Sequence, residues 1–340
     1  MCIRDRVKRV TEINVIEALS VDLLKNIYTS HELENKTDNN YNQEYLAFVI
    51  FVIKGHNPVG RLAVYENQQI RQDESNALVI GNFECINDKD VAALLFQEAE
   101  LFAEENSYSA LIGPINGSTW DNYRLPVEGV HPRFFTEELL KNYYPIHFRQ
   151  NKFEILTEYY STIISNLNEY ISDLEPPRDI FLNSSGLQVR GISKENFQED
   201  MKLVYKFSMD LFSSNYLFSP VSETYFLKKY LPIKQFIDPD YCLLVFDKND
   251  LVALFFCLPD IFNPSSSTLI VKTIAGKFGR KYAGIASWLF RRIIKKAMQN
   301  GYTHIINAFM HKNNTSLNIS RKYKSEIIRT YCLYIKHLEK

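Results

Sequence analysis

The chain has 340 residues, of which 46% are hydrophobic and 23% charged, and its formal net charge at pH 7 is −1. These values are typical of a globular protein that is long enough for two domains. The charge is not that of a basic nucleic-acid-binding protein, and the apolar runs YLAFVIFVI and LVALFFCL are too short to span a bilayer. We therefore expect a protein that binds neither nucleic acid nor a membrane, in an oligomeric state that the sequence leaves open. Its five cysteines have no CxxC spacing and are expected to be free thiols in a reducing cytoplasm.

The first six residues, MCIRDR, match the translation of a transposon adapter that is used in sequencing libraries. We expect Met1–Arg6 to be an adapter remnant and leave them out of the fold prediction. The native start of the chain is then unknown.

Three strands and a long helix are predicted between residues 45 and 106. The strands are YLAFVIFVI, VGRLAVYEN and ALVIGNFEC, and the turn KGHNP joins the first two as a hairpin. A helix follows in DKDVAALLFQEAELFAEEN, where Val91, Leu94, Leu95, Phe102 and Ala103 recur at helical spacing. Another strand then begins in NSYSALIG.

The same order of elements recurs after residue 186. The strands are YCLLVF, LVALFFCL and TLIVKTIAG, and the helix is GIASWLFRRIIKKAMQN, with Gly301 placed to end it. The next strand, in NGYTHIIN, parallels NSYSALIG. We therefore predict a duplicated α+β unit, with domains over residues 7–170 and 187–340. The linker is predicted at residues 171–186, ISDLEPPRDIFLNSSG, where Pro-Pro, Asn-Ser-Ser and Gly resist regular structure.

The loop before the second long helix predicts an anion-binding site. Main-chain N–H groups and the positive end of the helix converge there, and glycine lets the main chain approach an anion closely. Lys277, Arg280 and Lys281 add mobile positive charge. A pyrophosphate is the ligand that fits this chemistry.

The segment KYAGIA resembles the acyl-CoA motif of the GNAT acetyltransferase superfamily, Arg/Gln-x-x-Gly-x-Gly/Ala at the start of a helix. Lys281 stands where Arg or Gln is usual, and Gly284 and Ala286 match. The resemblance implies an α+β fold of two tandem GNAT-like domains, each a mixed, mostly antiparallel sheet flanked by helices. It also implies an N-acyltransferase that uses acetyl-CoA or another acyl-CoA, an amine of a small molecule as acceptor, and no metal.

The resemblance further implies two splayed central strands, with TIAG pairing in β fashion with the pantetheine amides. Asn313 or Asn314 stands where the superfamily often keeps an asparagine near the pantetheine; alternatively, Asn314 caps the next helix. The cofactor-binding residues expected on this basis are Ile274, Ala275, Gly276, Arg280, Lys281, Tyr282, Ala283, Gly284, Ile285, Ala286 and Asn314.

The first half is predicted to be a degenerate copy that does not bind CoA. Aligning the repeats puts Asp90 at the position of Gly284, with Asp88 close by. Two carboxylates would repel a pyrophosphate, but they suit the start of a helix that has no ligand.

The segment GPINGSTWDNYRLPVEG is the candidate acceptor site, because it combines hydrogen-bonding side chains with a flat aromatic ring. It is similar to stretches in poorly characterised bacterial GNAT-like proteins. The alternative is an Ω-like loop that Trp120 makes rigid by packing in the core. The substrate-binding residues expected are Asn116, Thr119, Trp120, Tyr123 and Arg124.

Catalytic groups are the least certain feature of the sequence. Many superfamily members carry a glutamate on the strand before the motif, whereas TLIVKTIAG has no carboxylate and Glu84 lies in the other half. Asp260 is either a cleft residue or a turn residue. The superfamily's tyrosine acid would fall near Ser320 or Arg321, so Tyr323 and His311 are the candidates for proton transfer.

Two alternatives to N-acyl transfer to a small molecule keep the same fold. One is an acyl-CoA-binding or scaffold protein without activity, which the missing glutamate and tyrosine favour. The other is an aminoacyl or long-acyl transferase that uses an aminoacyl-tRNA or a carrier protein, which the near-neutral charge disfavours.

Overall fold

The computed structural model describes residues 6–36, 40–72, 75–129, 131–170 and 186–338. Residues 1–5 of the predicted adapter remnant and 171–185 of the predicted linker lie outside these ranges, and the domain boundary stays a prediction. Fourteen strands and eight α-helices are found in the described part of the chain. None of these helices has both the length and the apolar character needed to cross a membrane.

The first half contains eight of the strands and four of the helices. In chain order they are β1 (Arg6–Val10), α1 (Ile13–Ile27), α2 (Ser30–Glu34), β2 (Leu46–Lys54), β3 (Asn57–Tyr65), β4 (Arg71–Gln72), β5 (Ser75–Cys85), α3 (Lys89–Glu105), β6 (Ala110–Gly113), β7 (Leu125–Glu128), α4 (Tyr144–Gln150) and β8 (Glu154–Ile164).

The second half contains the other six strands and four helices. They are β9 (Leu187–Gly191), α5 (Phe197–Leu211), α6 (Glu223–Tyr230), β10 (Cys242–Asp247), β11 (Asp250–Pro259), β12 (Thr268–Gly276), α7 (Ile285–Gln299), β13 (His304–His311), α8 (Ser316–Lys322) and β14 (Glu326–His337). The predicted repeat is confirmed, because β2, β3, β5, α3 and β6 recur as β10, β11, β12, α7 and β13. Gly301, after α7, has the expected left-handed φ of 82°.

The strands form one mixed sheet in the order β1-β2-β3-β5-β6-β14-β8-β13-β12-β11-β10-β9, with β4 and β7 at its margins. The pairs β5/β6 and β12/β13 are parallel and the remaining pairs are antiparallel. The predicted class of two mostly antiparallel α+β units is confirmed. The two units share one sheet, which is continuous across the middle of the molecule.

The last strand of each half lies in the sheet of the other half. Strand β14 pairs with β6, so that Ile335 lies opposite Ile112. Strand β8 pairs with β13, so that Ile164 lies opposite Ile305. The two exchanged strands also pair with each other along most of their length. Each half therefore depends on the other to complete its sheet.

The long helices α3 and α7 cover equivalent faces of the two halves. Val91, Leu95 and Phe96 of α3 pack in a core with β2, β3 and β5, and α7 packs in the same way on β10, β11 and β12. The opposite face is covered by α1 in the first half and by α5 and α6 in the second. The helical spacing of apolar residues that predicted both long helices is thus the pattern of residues that they bury.

The strand exchange predicts that a cavity near the end of the chain destabilises the first half. Leu333 on β14 is fully buried in a cluster that includes Val79 and Ile112 of the first half. We expect Leu333→Ala to lower the free energy of unfolding by about 2–5 kcal/mol, because it leaves a cavity. Hydrogen exchange should accelerate in β5 and β6 more than in β11 and β12.

Ile327→Ala on the same strand is the matched control, since Ile327 is 60% exposed, and it should change the free energy of unfolding by less than about 0.5 kcal/mol. Faster exchange in Leu333→Ala confined to residues 187–338 would contradict the exchange of strands.

Candidate functional site

The central strands of the second half part from each other in the middle of the sheet. Strands β12 and β13 pair from Thr268/His304 to Val271/Asn307 and no further. Beyond that point β12 continues to Gly276 with β11 as its partner, and β13 continues to His311 with β8 as its partner. Within the described residues, the inner edge of β12 from 272 to 276 therefore faces a cleft, where an extended ligand can add main-chain hydrogen bonds.

A β-bulge lies where the two strands part. Phe256 of β11 pairs with Thr273 and Cys257 with Val271, so Lys272 is the extra residue of β12. Bulges bend a strand and redirect its side chains, and they are frequent beside active sites.

The loop after β12 ends at a helix start that only glycine suits. Seven residues, 277–283, connect β12 to Gly284, which is the N-cap of α7 with φ 87° and ψ 0°. Residues that carry a side chain rarely adopt this left-handed main-chain conformation. Gly284 also has no side chain that could accept a hydrogen bond from the first turn of the helix. The N–H groups of the first turn of α7 therefore remain open to an anion from outside the chain.

One basic residue of this loop, Lys281, is paired with a carboxylate of the chain itself. Lys281 forms an ion pair with Asp247 at the end of β10, and the hydroxyl of Tyr282 donates to the same carboxylate at 2.8 Å. These two hydrogen bonds, that of Lys281 first, lower the pKa of Asp247. The Lys281 side chain is 58% exposed, and an exposed ion pair of this kind contributes little stability, so Lys281 can exchange Asp247 for a ligand at low cost.

The equivalent helix start in the first half is closed by the chain's own carboxylate. Only Ile86 and Asn87 separate β5 from Asp88, which is the N-cap of α3. Oδ1 of Asp88 accepts from the N–H groups of Asp90 at 2.9 Å and Val91 at 3.4 Å. The hydrogen bond from Lys54 to Oδ2, at 2.8 Å, is the main cause that lowers the pKa of Asp88.

The sequence alignment was wrong by two residues at this point. It pairs Asp90 with Gly284, whereas the N-cap that corresponds to Gly284 is Asp88. The two long helices end at asparagines that the alignment does pair, Asn106 and Asn300, but α3 has 17 residues and α7 has 15. The extra residues of α3 extend its N-terminal end and shorten the loop before it.

The cleft between the central strands is also filled in the first half. Strands β5 and β6 pair as far as Val79 and Ile112. The chain then returns to β5, where the N–H of Ile115 donates to the carbonyl of Ile80 at 2.8 Å and that of Asn82 donates to Oδ1 of Asn116 at 2.7 Å. The approach is so close that a Cβ on Gly81 would lie 2.1 Å from the carbonyl oxygen of Ile115.

The segment 113–129, which is the candidate acceptor site, docks on the second half. The indole N–H of Trp120 donates to the carbonyl of Ser219 at 3.0 Å, and its ring lies 5.4 Å from that of Phe226. Thr119 and Trp120 are both partly buried, whereas Asn116 is buried against β5. The ring of Trp120 thus packs at the margin of an apolar cluster of the second half and is not buried within a core. Substrate binding by Asn116, Thr119 and Trp120 stays a prediction.

Arg124 of the same segment lies among aromatic rings at the junction of the halves. Its guanidinium is 3.8 Å from the ring centroid of Tyr123, 4.5 Å from Phe309 and 4.7 Å from Tyr159. Nη1 is buried, with no hydrogen-bond partner in the described part of the chain. Tyr123 and Arg124, which are both predicted acceptor residues, are thus in contact through their side chains. Their role in binding stays a prediction.

Lys272, at the bulge where β12 leaves β13, is a site residue that the sequence reasoning missed. The charges that act on it are those of Lys229 on α6 and Arg124, and burial, followed by these two cations, lowers its pKa to about 8. Across the described residues it has no hydrogen bond or ion pair. Its signal in the sequence is that it is the one charged residue in TLIVKTIAG.

The two candidate catalytic residues lie in different surroundings. Nε2 of His311 is 2.8 Å from Oγ1 of Thr157, and Nδ1 accepts from the N–H of Asn313 at 3.3 Å. Burial lowers the pKa of His311, and so do Lys312 and Arg124. Tyr323 is buried beneath α7, 5.1 Å from the ring of Phe290. Their roles in proton transfer stay predictions.

The other polar residues considered from the sequence have structural partners. Asp260 is a turn residue, since Oδ1 accepts from the N–H of Phe262 at 3.3 Å, and the same oxygen also accepts from the N–H of Phe135 at 2.8 Å. Glu84 is buried with Lys36 at 2.7 Å, outside the cleft. Oδ1 of Asn314 accepts from the N–H of Ser316 at 2.9 Å, but the N-cap of α8 is Thr315, so the alternative that Asn314 is the N-cap is wrong by one residue. A contact of Asn314 with CoA stays a prediction.

Several solved structures share this architecture across nearly the whole chain. A conserved protein of unknown function from Enterococcus faecalis, described as a probable N-acyltransferase, has a TM-score of 0.59 at 9% identity over 99% of this chain and 73% of its own. The GCN5-related glucosamine N-acetyltransferase region of a fungal multi-domain GH3 beta-N-acetylglucosaminidase has a TM-score of 0.55 at 11% identity. That match covers 99% of this chain but 38% of the fungal one.

A tandem GNAT protein from the clavulanic acid biosynthesis pathway has a TM-score of 0.52 at 9% identity, over 98% of this chain and 99% of its own. No protein-family model and no curated protein matches the sequence. The likeness to solved structures concerns the fold, and the chain has the fold of tandem GNAT proteins, as the resemblance of KYAGIA implied.

The low pKa of Lys272 predicts a pH dependence of stability. Between pH 8 and 10.5 the unfolded chain keeps a proton on Lys272 that the folded chain has released, so this residue makes stability rise with pH. The full effect is at most about 3 kcal/mol. Urea unfolding at several pH values should show this rise for the wild type relative to Lys272→Met.

Lys206→Met on α5 is the control, because Lys206 is exposed. Its unfolding free energy should follow that of the wild type across the pH range. Parallel profiles for Lys272→Met and the wild type would show that Lys272 has an ordinary pKa.

Proposed function

We propose that the protein is an N-acyltransferase that moves an acyl group, in the first instance acetyl, from acyl-CoA to an amine of a small molecule. The observation that carries this proposal is the open edge of β12 beside a helix start that Gly284 caps. An open strand edge binds an extended amide chain, and a helix start without a side-chain cap binds a phosphate. Acyl-CoA has both features in one molecule.

The residues present fit such a ligand. Ile274, Ala275 and Gly276 would pair with the pantetheine amides along the open edge, and the N–H groups of Ile285 and Ala286 would hold the diphosphate. Arg280 and Lys281 would add positive charge, and Tyr282 and Ala283 shape the turn before Gly284. Bound acyl-CoA would supply the acyl group as a reactive thioester.

We infer that one acyl-CoA binds per chain, in the second half. In the first half the Asp88 carboxylate already accepts from the N–H groups that would meet a diphosphate, and the chain itself occupies the edge of β5. A second anion there would be repelled. The first half instead contributes Tyr123 and Arg124 to the acceptor side of the cleft.

Binding of acyl-CoA without catalysis is a second candidate function. It is favoured by the engagement of both nitrogen atoms of His311, the burial of Tyr323 and the pairing of Glu84 with Lys36. Transfer to an amine needs a group that takes its proton, unless the free amine attacks directly with bound water as the proton acceptor. Both candidate functions therefore require acyl-CoA binding, but only N-acyl transfer requires turnover.

The donor site is tested by a charge at the start of α7. Gly284→Glu should weaken CoA binding in isothermal titration at least about 100-fold, because it places a carboxylate and a side chain at the proposed diphosphate position. Gly301→Glu is matched, since Gly301 also has a left-handed φ but follows the other end of α7. It should bind CoA like the wild type. Equal loss in both variants, with both folded by circular dichroism, would contradict the proposed donor site.

Turnover is tested by incubating the protein with labelled acetyl-CoA and a library of amines. Appearance of label in an amine that depends on Gly284 supports N-acyl transfer. Tight CoA binding with no labelled amine across the library supports the second candidate instead.

A further inference from the structure

We propose that the acceptor carries an anionic group, a carboxylate or a phosphate, and that Lys272, Arg124 and Lys229 bind this group in the cleft. The inference rests on the proposed function, because it names the substrate class of the same site. It is carried by the place of Arg124, whose guanidinium lies 4.5 Å from the ring of Phe309 just beyond the last β12/β13 pair, Val271/Asn307, which Lys272 directly follows. Lys229 of α6 reaches the same segment 113–129 through its ion pair with Asp121.

The position of Lys272 connects it to the reaction. It follows directly on Val271, the last residue of β12 that pairs with β13, and it is the extra residue of the bulge. The open edge that would hold the pantetheine begins at Lys272 and runs to Gly276. A group bound by Lys272 therefore lies at the closed end of this edge, next to where the two central strands part.

Among the described residues, neither Lys272 nor Arg124 has a carboxylate partner. Asp121 is the carboxylate of this cluster, and its Oδ1 already accepts from Lys229 at 2.9 Å and from the hydroxyl of Tyr225 at 2.7 Å. Its Oδ2 accepts from Ser118 at 2.7 Å and Asn42 at 2.9 Å. Asp121 is thus engaged by Lys229, Tyr225, Ser118 and Asn42, and it forms no ion pair with Lys272 or Arg124 in the described part of the chain.

Bringing like charges together in a partly buried place costs stability, because each charge disfavours its neighbours. Burial lowers the pKa of Lys272, and the charges of Lys229 and Arg124 lower it further. Clusters that carry such a cost without an internal counter-charge are characteristic of sites that bind an oppositely charged ligand. An anion that enters the cleft removes the repulsion.

The surroundings of Arg124 suit the same ligand. Four aromatic rings lie near its guanidinium, those of Tyr123, Tyr159, Phe309 and Tyr331, so its position is fixed before any ligand binds. Nη1 is buried with no protein partner among the described residues. A guanidinium presents a planar pair of donors that matches a carboxylate or a phosphate. Simple alkylamines and polyamines, in contrast, would meet repulsion here.

The proposal is tested with matched acceptors that differ in the anionic group. The carboxylate arm compares amino acids with their amides, and the phosphate arm compares O-phosphoethanolamine with ethanolamine. We expect kcat/KM to favour the anionic member at least about 10-fold in one arm, and that arm identifies the group. Lys272→Met should abolish this preference, Lys272→Arg should retain it, and Lys206→Met should behave as the wild type.

A binding experiment without acyl-CoA separates this proposal from the proposed function. Isothermal titration of O-phosphoethanolamine, a free amino acid and inorganic phosphate into the wild type should detect binding that weakens at least about 10-fold in Lys272→Met and in Arg124→Met. CoA titrated into the same variants should bind as in the wild type, which also shows that they are folded.

The outcomes are distinct. If the wild type shows no CoA binding or no turnover, the proposed function is overturned. Anion binding that depends on Lys272 still supports the anionic site in that case. Equal use of anionic and neutral acceptors, or anion binding that Lys272→Met leaves unchanged, overturns the anionic site whatever the donor does.

Discussion

The exchange of the last strands is the constraint on which the rest of the structure depends. Because β14 lies between β6 and β8, and β8 lies between β14 and β13, neither half has a complete sheet of its own. The main-chain hydrogen bonds of these strands and the apolar side chains on them hold the halves in one relative position. That position brings the segment 113–129 against α6 and Arg124 towards Lys272. The proposed acceptor side of the cleft therefore depends on the exchange.

The two halves solve the same physical problem in different ways. Each long helix starts with N–H groups that have no partner within the helix. In α3 a two-residue loop and the carboxylate of Asp88 supply that partner from within the chain, and Lys54 balances the charge. In α7 a seven-residue loop ends in Gly284, which supplies none. The contrast between a helix start that is closed in one copy and open in the other supports the proposal that the open one binds a ligand.

Local patterns in the sequence predicted the strands, both long helices, and the places of Gly284 and Gly301 at the start and end of α7. They could do so because periodicity and glycine conformation act over a few residues. The strand exchange was not predictable in this way, since the apolar pattern of β14 does not specify which strand it pairs with. Lys272 was missed for a related reason. The group expected on its strand is a carboxylate, and the proposed role of Lys272 depends on Lys229 and Arg124, which are distant in sequence and act on it only in the folded chain.

The two proposed anion sites use different chemistry, and this difference keeps their ligands apart. At the start of α7 neutral main-chain N–H groups in a fixed arrangement do the binding, so geometry and the reach of the loop determine what fits. In the cleft the donors are charged side chains with a repulsion of their own, so the charge of the ligand decides. A diphosphate satisfies the first arrangement at the surface. A small anion on an amine satisfies the second, where the strands part and where acyl transfer would take place.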